Sequence, residues 1–170
     1  MSTLLSFTID GPDTPLEQVL GRSPRLLAAY RDFYGGFWDR EILPARLVEL
    51  VRLRVAQMHA CEAELAIRDA QSGVDDATVE ALHSWPDSGL FDDAERAALT
   101  YSEQIPFAHH QITDAQVDEV TQHLGDQGFV ALAMLATFVD ANCRLRVAFR
   151  LPPTPTDNGT PPASAGGHLY

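Results

Sequence analysis

The sequence contains no lysine, since all 12 basic side chains among its 170 residues are arginines. A chain without a side-chain amine cannot form a lysine Schiff base, anchor pyridoxal phosphate or supply the lysine of a phosphate-binding loop. The formal net charge of -12 also opposes binding to a polyanion, because repulsion replaces counterion release over most of the surface. We therefore exclude lysine-dependent catalysis and do not expect nucleic acid as a partner.

Cysteines and long apolar runs are also scarce. The two cysteines, Cys61 and Cys143, are 82 residues apart, which is not the density of a disulfide-stapled secreted domain. The amino-terminal residues lack the basic segment and the long apolar stretch of a signal peptide. The most apolar run, residues 129–139, has 11 residues, whereas a bilayer-spanning helix needs about 20. We expect a cytoplasmic protein with free thiols and no membrane partner.

Helical periodicity dominates the sequence and predicts an all-α fold. Residues 1–150 are expected to form one domain, because 45% of the residues are hydrophobic and can build a sizeable core. Residues 151–170 hold five prolines and three glycines and are expected to be a disordered tail. Ser23 and Pro24 are typical of a helix start. The further predicted helices are a long segment 44–70 with a kink or break at residues 57–61, then 76–84, 92–104, 113–124 and 128–149.

The segment HACEAELAIR places three polar side chains at helical spacing. In one continuous helix, Glu64 lies about 60° and Arg68 about 20° from Cys61 around the axis, so all three share a face. One interpretation is a Glu64–Arg68 ion pair on a solvated surface, worth only a few tenths of a kcal/mol. The apolar flanks favour a second interpretation, in which the face packs against protein and the carboxylate and guanidinium act as acid, base or anion clamp.

The run ELVRLRVAQMHACEAELAIRDAQSG resembles the carboxymuconolactone decarboxylase and AhpD-like alkylhydroperoxidase superfamily. The later stretches FDDAERAALTYSEQI and FVDANCRLRVAF resemble the second half of the same domain, so the resemblance covers residues 44–149. It implies an AhpD-like domain of about six to seven helices without a cofactor. It also implies assembly into a homotrimer or homohexamer, with the pocket close to a subunit interface.

The peroxidase branch of this superfamily has a glutamate, eleven residues, Cys-x-x-Cys, three residues and a histidine. The resemblance implies that Glu49 matches the proton-relay glutamate and Cys61 the resolving cysteine. Glu64 replaces the attacking cysteine, and Arg68 replaces the histidine. A carboxylate cannot reduce a peroxide, and a guanidinium that is always charged cannot relay a proton near neutral pH. We therefore do not expect dithiol peroxidase activity.

The decarboxylase branch carries Glu-Leu, a histidine three residues later and an Ala-x-x-Gly pattern, which this chain matches except at Arg68. The chain is expected to be a cofactor-independent lyase, decarboxylase or isomerase that acts on a small acidic or enolisable substrate. In this hypothesis Glu64 moves the proton and Arg68 stabilises an enolate-like anion, with Glu49 and Cys61 as further site residues. Two alternatives are a catalytically silent binding or structural oligomer, and a redox role through Cys61 alone.

The remaining polar residues have simpler interpretations. His59 and Cys61 point to different helical faces, so with Glu64 they do not predict a metal site. The polar residues that interrupt the last helix are expected to make satisfied buried or subunit contacts; they are Asp140, Asn142, Arg144 and Arg146. Cys143 is expected to be a small buried core residue.

Overall fold

The computed structural model describes residues 13–37 and 42–153, and within these ranges it contains helices and no strand. The all-α prediction is confirmed. The helices are α1 (Pro15–Leu20), α2 (Pro24–Gly36), α3 (Ala45–Met58), α4 (Glu62–Leu65), α5 (Asp76–Ala81), α6 (Asp93–Ala108) and α7 (Asp114–Ala148). Two short 3₁₀ helices, Leu82–Asp87 and His109–Gln111, follow α5 and α6. The predicted tail lies outside the described residues from position 154 onward.

Helices α6 and α7, the two longest of the described helices, both begin at capping boxes. Asp92 accepts the N–H of Glu95, and the Glu95 carboxylate accepts the N–H of Asp92 in return. Thr113 and Gln116 make the same reciprocal pair at the start of α7, and its Gln116 side chain lies 2.9 Å from the Thr113 nitrogen. These bonds satisfy amide groups that the helix itself leaves without partners.

Helices α3, α6 and α7 pack against one another and form the main core. Helix α7 joins the two helices predicted at 113–124 and 128–149, which meet at Gly125 with φ 70° and ψ 172°. Judged by length and composition alone, α7 is long and apolar enough to cross a bilayer. Its most apolar run, however, has only 11 residues. In this fold its inward side packs on α3 and α6 through the following buried residues: Leu132, Leu135, Ala136, Val139 and Cys143.

Helices α3 and α7 end in the same way, and both ends are unusual. The N–H of Cys61 donates to the carbonyl of Ala56 at 3.0 Å, and the N–H of Leu151 donates to the carbonyl of Arg146 at 3.0 Å. Each such bond closes a Schellman motif around a left-handed residue, a position that glycine usually occupies. Here the left-handed residues are Ala60 (φ 47°) and Arg150 (φ 54°), the only non-glycine residues with positive φ in the described ranges.

The break predicted at residues 57–61 is confirmed, but the continuation of helix to residue 70 is wrong. Helix α4 ends at Leu65 because Arg52 takes the carbonyl groups that a longer helix would need. Its Nη1 donates to the carbonyl of Glu64 at 2.8 Å, and its Nη2 donates to the carbonyl of Ile67 at 2.5 Å. The N–H of Asp69 then donates to a carboxylate oxygen of Glu49 at 3.1 Å.

Candidate functional site

Four charged side chains are buried together between α3, α4 and α7. They are Glu49, Arg52, Glu64 and Arg146, each at most 2% exposed, and we call them the buried ionic cluster. Arg52 binds both oxygens of Glu49 at 2.8 and 2.9 Å, and its Nη1 lies 3.0 Å from Oε1 of Glu64. The other oxygen of Glu64 lies 2.7 Å from Nε of Arg146. Each carboxylate is thus matched by a guanidinium, so the cluster carries no net charge.

The arginines of this cluster keep Glu64 ionised. Burial on its own would raise the pKa of Glu64, but the positive charges of Arg146 and Arg52 outweigh burial, and the pKa is lowered. The neighbouring carboxylates in turn outweigh the effect of burial on Arg52 and raise its pKa. Glu64 is therefore a fixed counterion at neutral pH and has no proton to donate.

Two tyrosines of α2, Tyr30 and Tyr34, lie next to the buried ionic cluster. Burial raises the pKa of Tyr30, with Arg146 opposing and Glu64 reinforcing the increase. Burial also raises the pKa of Tyr34, which is fully buried and packs against Phe138 of α7. Both hydroxyls stay protonated at neutral pH and shield the ion pairs from water.

The predicted neighbourhood of Glu64 and Arg68 on one helical face is wrong, because α4 ends before it reaches Arg68. The Arg68 side chain is 30% exposed and pairs with Asp76 at 3.0 Å. It also donates to the carbonyl of Val74 at 2.9 Å, and its Nε lies 3.7 Å from Glu49. Arg68 therefore lies at the outer edge of the buried ionic cluster.

The contacts of the two arginines that bind Glu64 could be predicted from the sequence only in part. Arg52 follows Glu49 by three residues, a spacing that allows an ion pair within α3. Arg146 was predicted to make a satisfied buried contact; it is buried and paired with Glu64, 82 residues away along the chain, but its Nη2, like Nδ2 of Asn142, has no hydrogen-bond partner in the described ranges. No local pattern connects positions that far apart.

The two cysteines, which are distant in sequence, lie together in the core. Cys61 is 1% exposed and Cys143 is fully buried, which confirms the prediction for Cys143. The Cys61 thiol donates to the carbonyl oxygen of Cys143 at 4.0 Å. A side-chain hydrogen bond with Cys143 lowers the pKa of Cys61 against the opposing effect of burial. The same bond, reinforced by burial, raises the pKa of Cys143, so Cys61 is the thiol that ionises first.

A cavity of about 150 Å³ opens beside Cys61, where the carboxyl-terminal ends of α3 and α7 meet, and we call it the Cys61 cavity. Its lining includes both left-handed residues, Ala60 and Arg150. Strained backbone of this kind is concentrated at functional sites in proteins. Its lining residues are Ala60, Cys61, Glu62, Ala63, Arg146, Val147, Arg150, Leu151 and Pro153.

Arg146 connects the buried ionic cluster to this cavity. Its Nε forms an ion pair with Glu64 at 2.7 Å, and neither Nε nor Nη2 has a hydrogen-bond partner among residues 13–37 and 42–153. A buried guanidinium nitrogen without a partner is costly and is normally satisfied by a ligand or by water. Because Arg146 and Arg150 both line the Cys61 cavity, a small anion can be bound there.

The other sites predicted from sequence do not coincide with this cavity. Glu49 is committed to Arg52, and neither Glu49 nor Arg68 lines the Cys61 cavity. His59 lies 2.7 Å from Asp140, which also binds Arg144, in agreement with the predicted polar contacts of α7. Within the described part of the chain, no group of three or more His, Cys, Asp or Glu side chains is arranged to hold a metal ion.

A larger groove lies between α2 and α7, on another part of the surface. It has a volume of about 430 Å³ and an almost entirely apolar lining. Its apolar side chains include Phe33, Phe37, Ile42, Val130 and Met134. Among the described residues of its lining, Asp32 is the only acidic or basic one, and the groove offers surface for apolar packing.

One family model matches part of the sequence. The model of the carboxymuconolactone decarboxylase family matches residues 24–104, which include Glu49, Cys61, Glu64 and Arg68. No curated protein matches the sequence.

Solved structures share the fold at low sequence identity. A protein of unknown function from Agrobacterium tumefaciens, named as a candidate AhpD antioxidant defence protein, aligns with TM-score 0.71 and 18% identity over 79% of this chain and 94% of its own. An uncharacterised peroxidase-related protein from Silicibacter sp. TM1040 aligns with TM-score 0.71 and 16% identity over 93% of this chain and 96% of its own. A variant of the debrominase Bmp8, in complex with 2,3,4-tribromopyrrole, aligns with TM-score 0.68 and 16% identity over 80% of this chain and 74% of its own.

Proposed function

We propose that this chain is a member of the carboxymuconolactone decarboxylase and AhpD-like superfamily and a cofactor-independent lyase or isomerase acting on a small carboxylate, which the family match and the shared fold support. The reaction takes place in the Cys61 cavity. The observation that carries the proposal is Arg146, which lines a cavity that also contains a thiol and whose buried Nη2 has no hydrogen-bond partner in the described ranges. The substrate is an acidic or enolisable molecule.

The size of the cavity limits the substrate to a few heavy atoms. A cavity of about 150 Å³ is comparable to engineered protein cavities that hold benzene. A carboxylate or enolate oxygen placed there would accept a hydrogen bond from Arg146, and Arg150 would add a second positive charge. The structural neighbour Bmp8 in complex with tribromopyrrole supports a small ring-sized ligand in this fold.

Cys61 is the group that we assign to proton transfer. In a decarboxylation, the bond between the carboxylate carbon and its neighbour breaks, carbon dioxide leaves, and the electron pair passes to an enolate. Arg146 stabilises that enolate, and the Cys61 thiol then protonates its carbon. In an isomerisation, the Cys61 thiolate removes a proton beside a carbonyl and returns it at a different carbon. The lowered pKa of Cys61 favours this exchange.

Glu64 has a different role from the one expected from sequence. Because Arg146 and Arg52 hold it as a carboxylate, it positions Arg146 at the Cys61 cavity and does not itself exchange a proton. Arg52 and Glu49 continue this support and also hold the backbone after α4 in place. We infer that the buried ionic cluster orients the anion-binding arginine.

A second candidate is a catalytically silent binding protein of the same family. The buried ionic cluster favours this alternative, because its carboxylates and guanidinium groups already pair with one another, and such pairing requires no chemistry. In either case we expect assembly into a homotrimer or homohexamer. The apolar groove between α2 and α7 is compatible with contact between subunits.

A substrate screen separates the two candidates. The purified protein is incubated with small carboxylates, lactones and keto acids, with turnover followed by mass spectrometry and binding by calorimetry. Cys61→Ser is expected to abolish turnover, and Arg150→Gln is expected to weaken binding at least tenfold. Arg68→Gln, outside the cavity, is the matched control and should leave both unchanged.

The outcomes of the screen have distinct meanings. Turnover that survives Cys61→Ser but is lost in Arg68→Gln would overturn the assignment of the cavity. Binding that requires Arg150, without turnover of any compound, would support the catalytically silent binding protein and contradict the enzyme. If no compound in the panel binds, both candidates are wrong.

A further inference from the structure

We propose that Cys61 and Cys143 form a redox pair that closes to an intramolecular disulfide between the start of α4 and the carboxyl-terminal part of α7. The second cysteine of this pair lies 82 residues from the first and comes from another helix. The motif position three residues after Cys61 holds Glu64, so the sequence pattern alone does not reveal the pair. Disulfide formation does not rest on the proposed function, but its consequence for the Cys61 cavity does.

The geometry places the Cys61 sulfur against Cys143. This sulfur lies 4.0 Å from the Cys143 carbonyl oxygen, and both side chains belong to the same buried core cluster. A disulfide requires the sulfurs to approach to about 2.05 Å, with their Cβ atoms about 3.5–4.5 Å apart. Cys61 lies in the turn between α3 and α4, outside regular helix, so the approach requires no helix to unwind. Cys143 is held firmly within α7 and is the fixed partner.

The two thiols differ in their surroundings and are expected to react in different steps. Cys61 lines the cavity, through which a small oxidant can arrive, whereas Cys143 is fully buried and does not line it. The hydrogen bond from Cys143 also stabilises the thiolate form of Cys61. Cys61 is therefore the attacking residue, and Cys143 reacts second.

A hydroperoxide oxidises the pair in two steps. The Cys61 thiolate attacks the outer peroxide oxygen, the O–O bond breaks, and an alcohol leaves after it takes up a proton, which produces a sulfenic acid on Cys61. The Cys143 sulfur then attacks the Cys61 sulfur, the S–O bond breaks, and water leaves with the Cys143 proton. The sulfurs lose two electrons in total, which the peroxide gains. A dithiol reductant reverses the change by thiol–disulfide exchange.

Closure of this disulfide would remove the ionisable thiol from the Cys61 cavity. The sulfur of Cys61 would be covalently bonded toward α7 and would carry no proton. If the proposed function holds, the oxidised protein is inactive and a dithiol restores it. Oxidation would thus regulate the site without any change in Arg146 or Arg150.

Peptide mapping tests the pair on the full chain without any substrate. The reduced protein is treated with hydrogen peroxide, unfolded in the presence of N-ethylmaleimide and digested with trypsin without reductant. Cleavage after Arg54, Arg68, Arg96 and Arg144 places the two cysteines in different peptides, 55–68 and 97–144. We expect these peptides to be joined in the monomer, with the number of alkylated thiols falling from two to zero and returning to two after dithiothreitol.

Two variants distinguish the pair from unrelated oxidation. In Cys143→Ala, the expected product is a Cys61 sulfenic acid that dimedone traps, and in Cys61→Ala, Cys143 is expected to stay reduced. Joined peptides found only in a covalent dimer, or wild-type Cys61 that is oxidised to sulfinic acid without joining Cys143, would overturn the proposal. Because the readout is a mass, a failure of the substrate screen leaves this result unaffected.

Discussion

The charge of Glu64 is predicted to be one of the largest single contributions to the stability of the fold. Glu64→Gln keeps the size of the side chain but removes its charge from between Arg52 and Arg146. Arg52 retains two bonds to Glu49, whereas Arg146 remains 2% exposed and loses its ion-pair partner. Removing one partner of a buried ion pair costs about 3–5 kcal/mol, because the other charge stays buried without compensation.

That loss is large compared with the total stability of a protein. Folded proteins are stable by about 5–15 kcal/mol, so the variant is expected to lose roughly a third of its free energy of unfolding. In a chain of this length, the loss corresponds to a fall of roughly 10 °C in the melting temperature. Glu62→Gln is the matched control, since Glu62 is exposed on the same helix and its substitution should change stability by less than about 0.5 kcal/mol.

The pH dependence of the loss identifies its cause. The pKa of Glu64 is lower in the folded than in the unfolded protein, so its charge contributes stability above the unfolded value of about 4.3. That contribution is lost as the pH falls through the lower folded pKa. Glutamine does not titrate, so the difference between wild type and Glu64→Gln is expected to be largest at neutral pH and to narrow below about pH 4.

Urea unfolding of wild type, Glu64→Gln and Glu62→Gln at a series of pH values measures both quantities. The same transition should be followed by circular dichroism and fluorescence, so that two-state unfolding is checked. A loss below about 1 kcal/mol at pH 7 would refute the reasoning, as would a loss of constant size from pH 7 down to pH 3.

Two further predictions concern the surroundings of the Cys61 cavity. Ala60→Gly is expected to raise the free energy of unfolding by about 1 kcal/mol in thermal or urea unfolding, because glycine adopts the left-handed conformation without the steric cost of a Cβ. Ala63→Gly, at an ordinary helical position of α4, should instead lower it by about 0.5–1 kcal/mol, and equal effects at both sites would contradict the explanation. Cys143→Ala removes the hydrogen bond that lowers the pKa of Cys61, so the midpoint for alkylation of Cys61 by iodoacetamide should move to higher pH; an unchanged midpoint would show that Cys143 does not control this thiol.

Much of the fold could be predicted from local patterns. The capping box at Thr113 and the break before Cys61 are properties of neighbouring residues, and both agree with the structure. The end of α4 could not be predicted in this way. It depends on Arg52, which reaches across from α3 to bind the carbonyls of Glu64 and Ile67.

The candidate site, too, could be predicted from local sequence patterns only in part. Helical spacing put Cys61 and Glu64 close together, and both are indeed buried in one region. Spacing also placed Arg68 beside Glu64, which holds only if the helix continues. The actual partners, Arg146 for Glu64 and Cys143 for Cys61, are supplied by the packing of α7. Contacts between residues 82 apart depend on the tertiary arrangement and leave no periodic trace in the sequence.

The contacts of Arg52 give a stereochemical reason for an arginine instead of a lysine at this position. A guanidinium has five N–H groups in a fixed planar fork, and the five hydrogen bonds of Arg52 reach the Glu49 carboxylate, the Glu64 carboxylate, and the carbonyls of Glu64 and Ile67. An ammonium group has only three donors and cannot span that set of acceptors. At position 52 the two basic residues are therefore not interchangeable, and an exchange that conserves charge would leave buried acceptors without donors.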